Sequence, residues 1–246
     1  MVDPYAQIPA FYDVEFAAAT ADISTYFRDL SGARRVLVLG CGTGRVSDGL
    51  VGPDREVVGV DLSGPMIARA QAARRDGVAR YVVGDMCRLA ELSLGFFDAV
   101  VIPNAAFSFL PSRREQLQCL QQVRALLRDG PLWIDVPMPD FGLMGTPHSP
   151  EAPAWRGLVG ELDVRRTREV FRSPVAQRLL LRDRYYTGDE AGSQPICVSD
   201  LHLRLIFPAE LEWLLESAGF YADALYGNHA GGALADGCDR LLCRAL

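Results

Sequence analysis

The chain has 246 residues, 49% of them hydrophobic, and a formal net charge of -6. That suits one domain with a full core and room for an insertion. All 25 basic residues are arginine, which we read first as a coding bias, and the acidic balance argues against broad nucleic-acid binding, which leaves a basic footprint.

Six scattered cysteines form no C-x-x-C pair, so free thiols are expected and neither a disulfide framework nor a metal site. Residues 1–13, MVDPYAQIPAFYD, lack the basic and apolar regions of a secretory leader. No apolar run approaches the ~18–20 residues of a membrane span. A cytoplasmic protein without membrane contact is the expectation.

Along the chain, residues 14–30 have helical apolar spacing and stop at SGARR. RVLVLG (35–40) is an aliphatic run suited to a strand buried on both faces. A glycine-rich loop and a helix to Leu50 follow. EVVGVD (56–61) is a second strand. Residues 63–77 read as a helix capped by Ser63 and stopped by Gly77. ARYVVGD (79–85) and FDAVVIP (97–103) are the third and fourth strands. Residues 112–130 form an amphipathic helix, and PLWIDVP (131–137) is the fifth strand. Strands alternating with helices predict a doubly wound α/β sheet.

The rhythm then changes. Residues 160–173, 176–188 and 195–208 alternate with period 2 between turn residues and predict three antiparallel strands. A helix over 208–220 precedes two closing strands, 221–227 and 239–246, joined by a glycine-rich turn. The units expected are an N-terminal helix with an α/β core (1–140), an insert (141–200), and the insert's end with the last helix and closing strands (201–246).

The loop Gly40-Cys41-Gly42-Thr43-Gly44 carries the strongest functional signal. Glycines permit a sharp turn and a close ligand approach, and amides at a helix start favour anionic groups. In open α/β sheets ligands sit at the carboxyl ends of the strands where strand order reverses. The spacing is not the G-x-G-x-x-G of dinucleotide sites, because Arg45 stands at the third position, so a nicotinamide dehydrogenase is disfavoured. Asp61 ends the second strand, where a carboxylate can accept two ribose hydroxyls. Asp85 and Met86 end the third, where an acceptor and a flat apolar contact suit an adenine.

The motifs VLVLGCGTGR, VVGVDLSGPMIARA, VVGDM and FDAVVIPNAAFSFL resemble those of class I S-adenosylmethionine-dependent methyltransferases over roughly residues 30–137. Leu39 stands where many members carry an acidic residue. The resemblance implies a Rossmann-like seven-stranded sheet with an antiparallel closing hairpin, here with a small antiparallel β insert. It implies S-adenosylmethionine as cofactor, held by Tyr12, Gly40, Cys41, Gly42, Gly44, Asp61, Leu62, Met66, Asp85, Met86 and Pro103. Small-molecule methyltransferases, including amino-sugar N-methyltransferases, are the subset most resembled. The reaction implied is in-line methyl transfer to N or O of a small molecule; an enzyme that cyclises or cleaves the same cofactor is the alternative.

Such transfer needs the acceptor atom positioned in line, and a base only for a hydroxyl or carbon acceptor. Tyr12, Asn104 and His202 are the candidates for the acceptor side, with Phe107 as a wall and His148 as a second choice of base. His229, in the closing hairpin, is expected to lie far from the chemistry. The insert's arginines, interspersed with acids, are read as cross-strand ion pairs, with an anionic acceptor as the other reading. The insert leaves open a lid, a homodimer surface, or both.

Overall fold

Five short aliphatic runs pair in parallel: β1 (Arg35–Leu39), β2 (Glu56–Asp61), β3 (Arg80–Val83), β4 (Ala99–Ile102) and β5 (Leu132–Pro137). The computed structural model describes residues 3–73, 79–188 and 193–246. The closing strands β10 (Ala222–Tyr226) and β11 (Arg240–Ala245) complete a seven-stranded sheet of order β10-β11-β5-β4-β1-β2-β3. β11 runs antiparallel to both β5 and β10, as the reversed hairpin requires. The predicted doubly wound sheet is thus present.

Period-2 alternation sends each strand's side chains to two separate cores. Leu37, Leu39, Val58, Val60 and Val100 meet α5 (Arg113–Leu126) and α6 (Pro208–Ser217) on one face. Val36, Val38, Val57 and Trp133 meet α2 (Ala21–Asp29), α3 (Arg45–Leu50) and α4 (Gly64–Ala72) on the other. Ser63 caps α4, its hydroxyl accepting from Met66 N. The predicted stop of that helix at Gly77 lies outside the described residues.

The single helix expected over 14–30 is two. α1 (Pro9–Phe16) starts on proline, and α2 follows after a break at Ala17–Thr20. The break separates two jobs. α1 packs on the insert, Phe11 stacking on Tyr185 at 5.0 Å and Glu15 meeting Arg166 at 2.8 Å. α2 packs on the main sheet through Tyr26 and Leu30. Arg45 holds the joint, donating to Ala19 O and, with both terminal nitrogens, to the Asp22 carboxylate.

The insert has four strands, not the three expected: β6 (His148–Val159), β7 (Leu162–Ser173), β8 (Arg178–Thr187) and β9 (Cys197–Arg204), in that order and antiparallel. β6 hides in the sequence because it is a mostly exposed edge strand, carries Pro150 and Pro153, and slips register at two places. His148 opens this strand.

The arginine-rich insert is laced by ion pairs, as the interspersed acids suggested. Arg182 meets Asp200, and Arg184 meets Glu151 and Glu169. Asp183 is 1% exposed and takes both Arg166 and Arg168. Removing one partner of a buried pair leaves the other charge unsolvated. Asp183→Ala should therefore lower stability by about 3 kcal/mol, read as a drop in the urea unfolding midpoint.

Candidate functional site

After β1 the chain turns back over β2. The amides of Gly40 and Cys41 both donate to Val60 O, at 2.8 and 3.1 Å. Gly40 and Gly42 take φ of 68° and 56°, the left-handed region that favours glycine. The two differ in what surrounds them. A Cβ at Gly40 would sit 2.3 Å from Ala106 Cβ, so this position admits the segment after β4. A Cβ at Gly42 would meet nothing nearer than Tyr12 Cε1 at 3.9 Å, so this position opens into the space beneath the Tyr12 ring. Gly44 is needed for packing against Tyr81, whose hydroxyl a Cβ would approach to 2.2 Å. That hydroxyl donates to Asp48 Oδ1 at 2.5 Å.

Asp61 anchors the loop. Its Oδ2 accepts from Gly42 N and its Oδ1 from Ser63 N, both at 2.8 Å. Each oxygen keeps a lone pair for another donor. Burial raises the Asp61 carboxyl above the ordinary range, outweighing those backbone bonds, and nearby Asp3 adds to the rise. A carboxylate destabilised in this way marks a candidate functional group. Beside it, Leu62 is 71% exposed, and Val83 at the end of β3 is 51% exposed. Asp85 bonds Cys87 N through Oδ1 and is part-exposed. Met86 packs against the core, with Cε facing Gly40.

The N-terminal segment roofs this floor. Asp3 accepts from Ser63 Oγ at 2.6 Å and from Tyr5 N at 2.9 Å. Tyr5 meets Tyr12 and Phe109 edge-on, with ring centroids 6.2 and 5.7 Å apart. Tyr12 lies within α1, not before the first helix. The Asn104 side-chain amide donates to the Tyr12 hydroxyl at 3.0 Å. Burial raises both Tyr5 and Tyr12 above the usual phenol range, so both stay protonated near neutral pH.

Asn104 and Ala105 form a tandem left-handed turn, with φ of 48° and 68°. Such backbone in non-glycine residues costs on the order of 1–3 kcal/mol each and needs surrounding support. Asp135 supplies it. Its carbonyl accepts from Ala105 N at 2.9 Å, and its Oδ2 accepts from Asn104 N at 3.3 Å. Asp135 is 1% exposed. Oδ2 also faces His229 Nε2 at 3.0 Å and the Tyr26 hydroxyl at 3.3 Å, while Arg240 Nε donates to Oδ1 at 2.8 Å.

The structure therefore brings Tyr12, Gly42, Asp61 and Asn104 together. Other expected residues fall differently. Cys41 is buried, its sulfur turned toward Gly59, so only its backbone faces the loop. Met66 and Pro103 are buried, and Phe107, expected as a wall, is fully buried in the core. His202 is exposed between buried Leu201 and Leu203. Alternation puts it on the face of β9 opposite Ser199, which bonds Pro4 O of the N-terminal segment. His202 and His148 are thus not brought to Tyr12. His229, expected far from the chemistry, shares the carboxylate oxygen that receives Asn104 N. Asp3, Tyr5 and Asp135 escaped sequence reasoning; only Asp135 left a signal, a charge inside the otherwise apolar strand LWIDVP.

Residues 36–130 match the family model described as Methyltransferase domain. A protein of Geobacillus sp. (strain WCH70), provisionally named a methyltransferase, is 35% identical over 108 residues, 43% of each chain. The matched part thus spans less than half the length of the curated relatives. Among solved structures, an S-adenosylmethionine-dependent methyltransferase from Clostridium acetobutylicum ATCC 824 aligns with TM-score 0.81 at 14% identity, covering 99% of this chain and 98% of that one. The sugar N-methyltransferase KedS8 from Streptoalloteichus sp. ATCC 53650 aligns with TM-score 0.73 at 21% identity, covering 95% and 90%. The family match is confined to residues 36–130, and the overall fold is shared with these solved S-adenosylmethionine-dependent methyltransferases. No described helix is long and apolar enough to cross a membrane.

The Asp135 network links stability to pH. Burial alone would raise this carboxyl, but its bonds to His229 and Arg240 outweigh burial and hold it below the ordinary aspartate range. A depressed folded value gives stability that is present above the unfolded pKa and lost as pH falls through the folded one. The urea-midpoint gap between wild type and Asp135→Asn should therefore be full near neutral pH and shrink on acidification below about pH 4.

Proposed function

We propose that this protein transfers a methyl group from S-adenosylmethionine to an amine nitrogen of a small-molecule acceptor. The observation that carries the reading is the open cradle at Gly42, floored by Asp61 and roofed by Tyr12. The residues present fit the cofactor. Asp61 keeps lone pairs for ribose hydroxyls. Exposed Leu62 and Val83, with Met86, offer apolar surface for a ring, and Asp85 has a part-exposed carboxylate for an exocyclic amine. Gly40 and Gly42 let backbone approach the methionine portion closely.

When bound, the cofactor supplies a methyl already activated on a sulfonium sulfur. The chain's own residues then bind, orient and exclude water. Tyr5, Tyr12 and Phe109 present aromatic surface, which favours a cationic neighbour and a dry site. Asn104 and the protonated Tyr12 hydroxyl offer polar contacts that orient an acceptor. A neutral amine needs no base, which suits a pair whose phenol burial keeps neutral. The KedS8 likeness supports this choice, since that protein is a sugar N-methyltransferase.

Calorimetric titration should show micromolar binding of S-adenosylhomocysteine and none of NAD. Asp61→Ala should weaken that binding by on the order of 1–3 kcal/mol through lost charged hydrogen bonds; unchanged affinity would remove Asp61 from the ribose site. Asn104→Ala should keep S-adenosylhomocysteine affinity within about twofold while lowering methyl transfer to amines in a mass-detected screen roughly tenfold or more. Loss of S-adenosylmethionine without any methylated product would point to cyclisation or cleavage.

A further inference from the structure

The fold needs no left-handed turn after β4. A strand leaving a parallel sheet can join its next helix through many loop conformations, and Ala105 gains nothing locally from a φ of 68°. The turn does achieve one thing: it sets the Asn104 side-chain amide on the Tyr12 hydroxyl, 92 residues away in sequence. We propose that Asp135 is a positioning residue of the acceptor site: pinned by His229, Arg240 and Tyr26, it clamps the Asn104–Ala105 turn and so aims Asn104 at Tyr12. The acceptor role rests on the function proposed above; the clamp itself does not.

Asp135 reaches the turn twice, with its carbonyl on Ala105 N and with Oδ2 on Asn104 N. A carboxylate free to rotate could not hold the second bond. Arg240 fixes Oδ1, with Nε at 2.8 Å and Nη2 at 2.6 Å. His229 Nε2 and the Tyr26 hydroxyl fix Oδ2 from the opposite side. His229 is itself held in place. The Thr25 hydroxyl donates to its carbonyl, and its ring stands edge-on to Tyr26 at 6.3 Å. Three elements remote in sequence, α2, β11 and the β10–β11 loop, thus converge on one carboxylate. That carboxylate accepts the hydrogen bond of the Asn104 backbone N–H. A buried acid in a central strand is costly unless fully paired, and here its pairing extends to the turn.

The test compares His229→Ala with His229→Gln, whose side-chain amide can still donate to Asp135. Amide exchange is followed by nuclear magnetic resonance, together with the Asn104 Nδ2 resonance. The expected result for His229→Ala is exchange at Asn104 and Ala105 faster by about tenfold than in wild type, with Val100 and Val101 of β4 changed less than about twofold. The Asn104 Nδ2 resonance should shift toward that of a free amide, and His229→Gln should restore both signals. Asp135→Asn should enlarge the local effect; if it fails to fold, the His229 pair still decides. An equal rise at Asn104, Ala105 and β4 would reduce Asp135 to a structural residue and overturn the proposal, as would no change at the turn. S-adenosylhomocysteine binding, measured alongside, should stay within about twofold in both His229 variants. Failure of wild type to bind it would overturn the methyl-transfer reading, and the exchange data would still judge the clamp.

Discussion

Parallel pairing of β1 with β2 on one side and β4 on the other is the constraint on which the rest depends. Leu39 aligns with Val60, and Val38 with both Gly59 and Val101. The connections leaving β1 and β4 therefore depart to opposite faces and leave a crevice above β1. The glycine loop, Asp61 and the Asn104 turn all come from carboxyl ends that this register brings level. Without it, Gly42 would have no carboxylate to bond and Tyr12 no partner.

The chain then closes the crevice with a segment that belongs to neither sheet. The N-terminal residues bond Ser63 on the core through Asp3 and Ser199 on the insert through Pro4. α1 carries Tyr12 toward the loop and Glu15 toward the insert. Exclusive use of arginine suits this arrangement. Arg45 grips Asp22 with two nitrogens, and Arg168 grips Asp183 in the same way. A planar fork holds such geometry where an ammonium would not.

What the sequence disclosed follows from periodicity and local chemistry. Aliphatic runs such as RVLVL, bounded by Gly40, mark buried strands because both faces must be apolar. The order of Asp61 and Asp85 at successive strand ends is legible because strand ends are local. β6 was illegible because an exposed edge strand has no apolar face to advertise, and its prolines read as loop. The α1–α2 break was illegible because helical spacing continues through Ala17–Thr20; it is set by Arg45, 26 residues beyond Ala19. The placement of His202 turned on which face of β9 met the N-terminal segment, a choice that alternation alone leaves open.

Three local rules are broken in this chain, and two of the breaks touch. Asp135 puts a charge in an apolar strand, and Ala105 takes backbone that suits glycine. Each would be destabilising by itself, yet Asp135 satisfies its carboxylate partly on the turn, and the turn is held by Asp135. The third break, between α1 and α2, bends the chain so that Tyr12 can face what the turn presents. Natural sequences keep such conflicts where function needs them and support them elsewhere. The support here is visible: Arg240 and His229 from the closing hairpin, Tyr26 from α2, and Asp22 with Arg45 at the joint. Strain at Asn104–Ala105 and the cost of a buried Asp135 are two sides of one arrangement, and its product is the orientation of a single amide toward Tyr12.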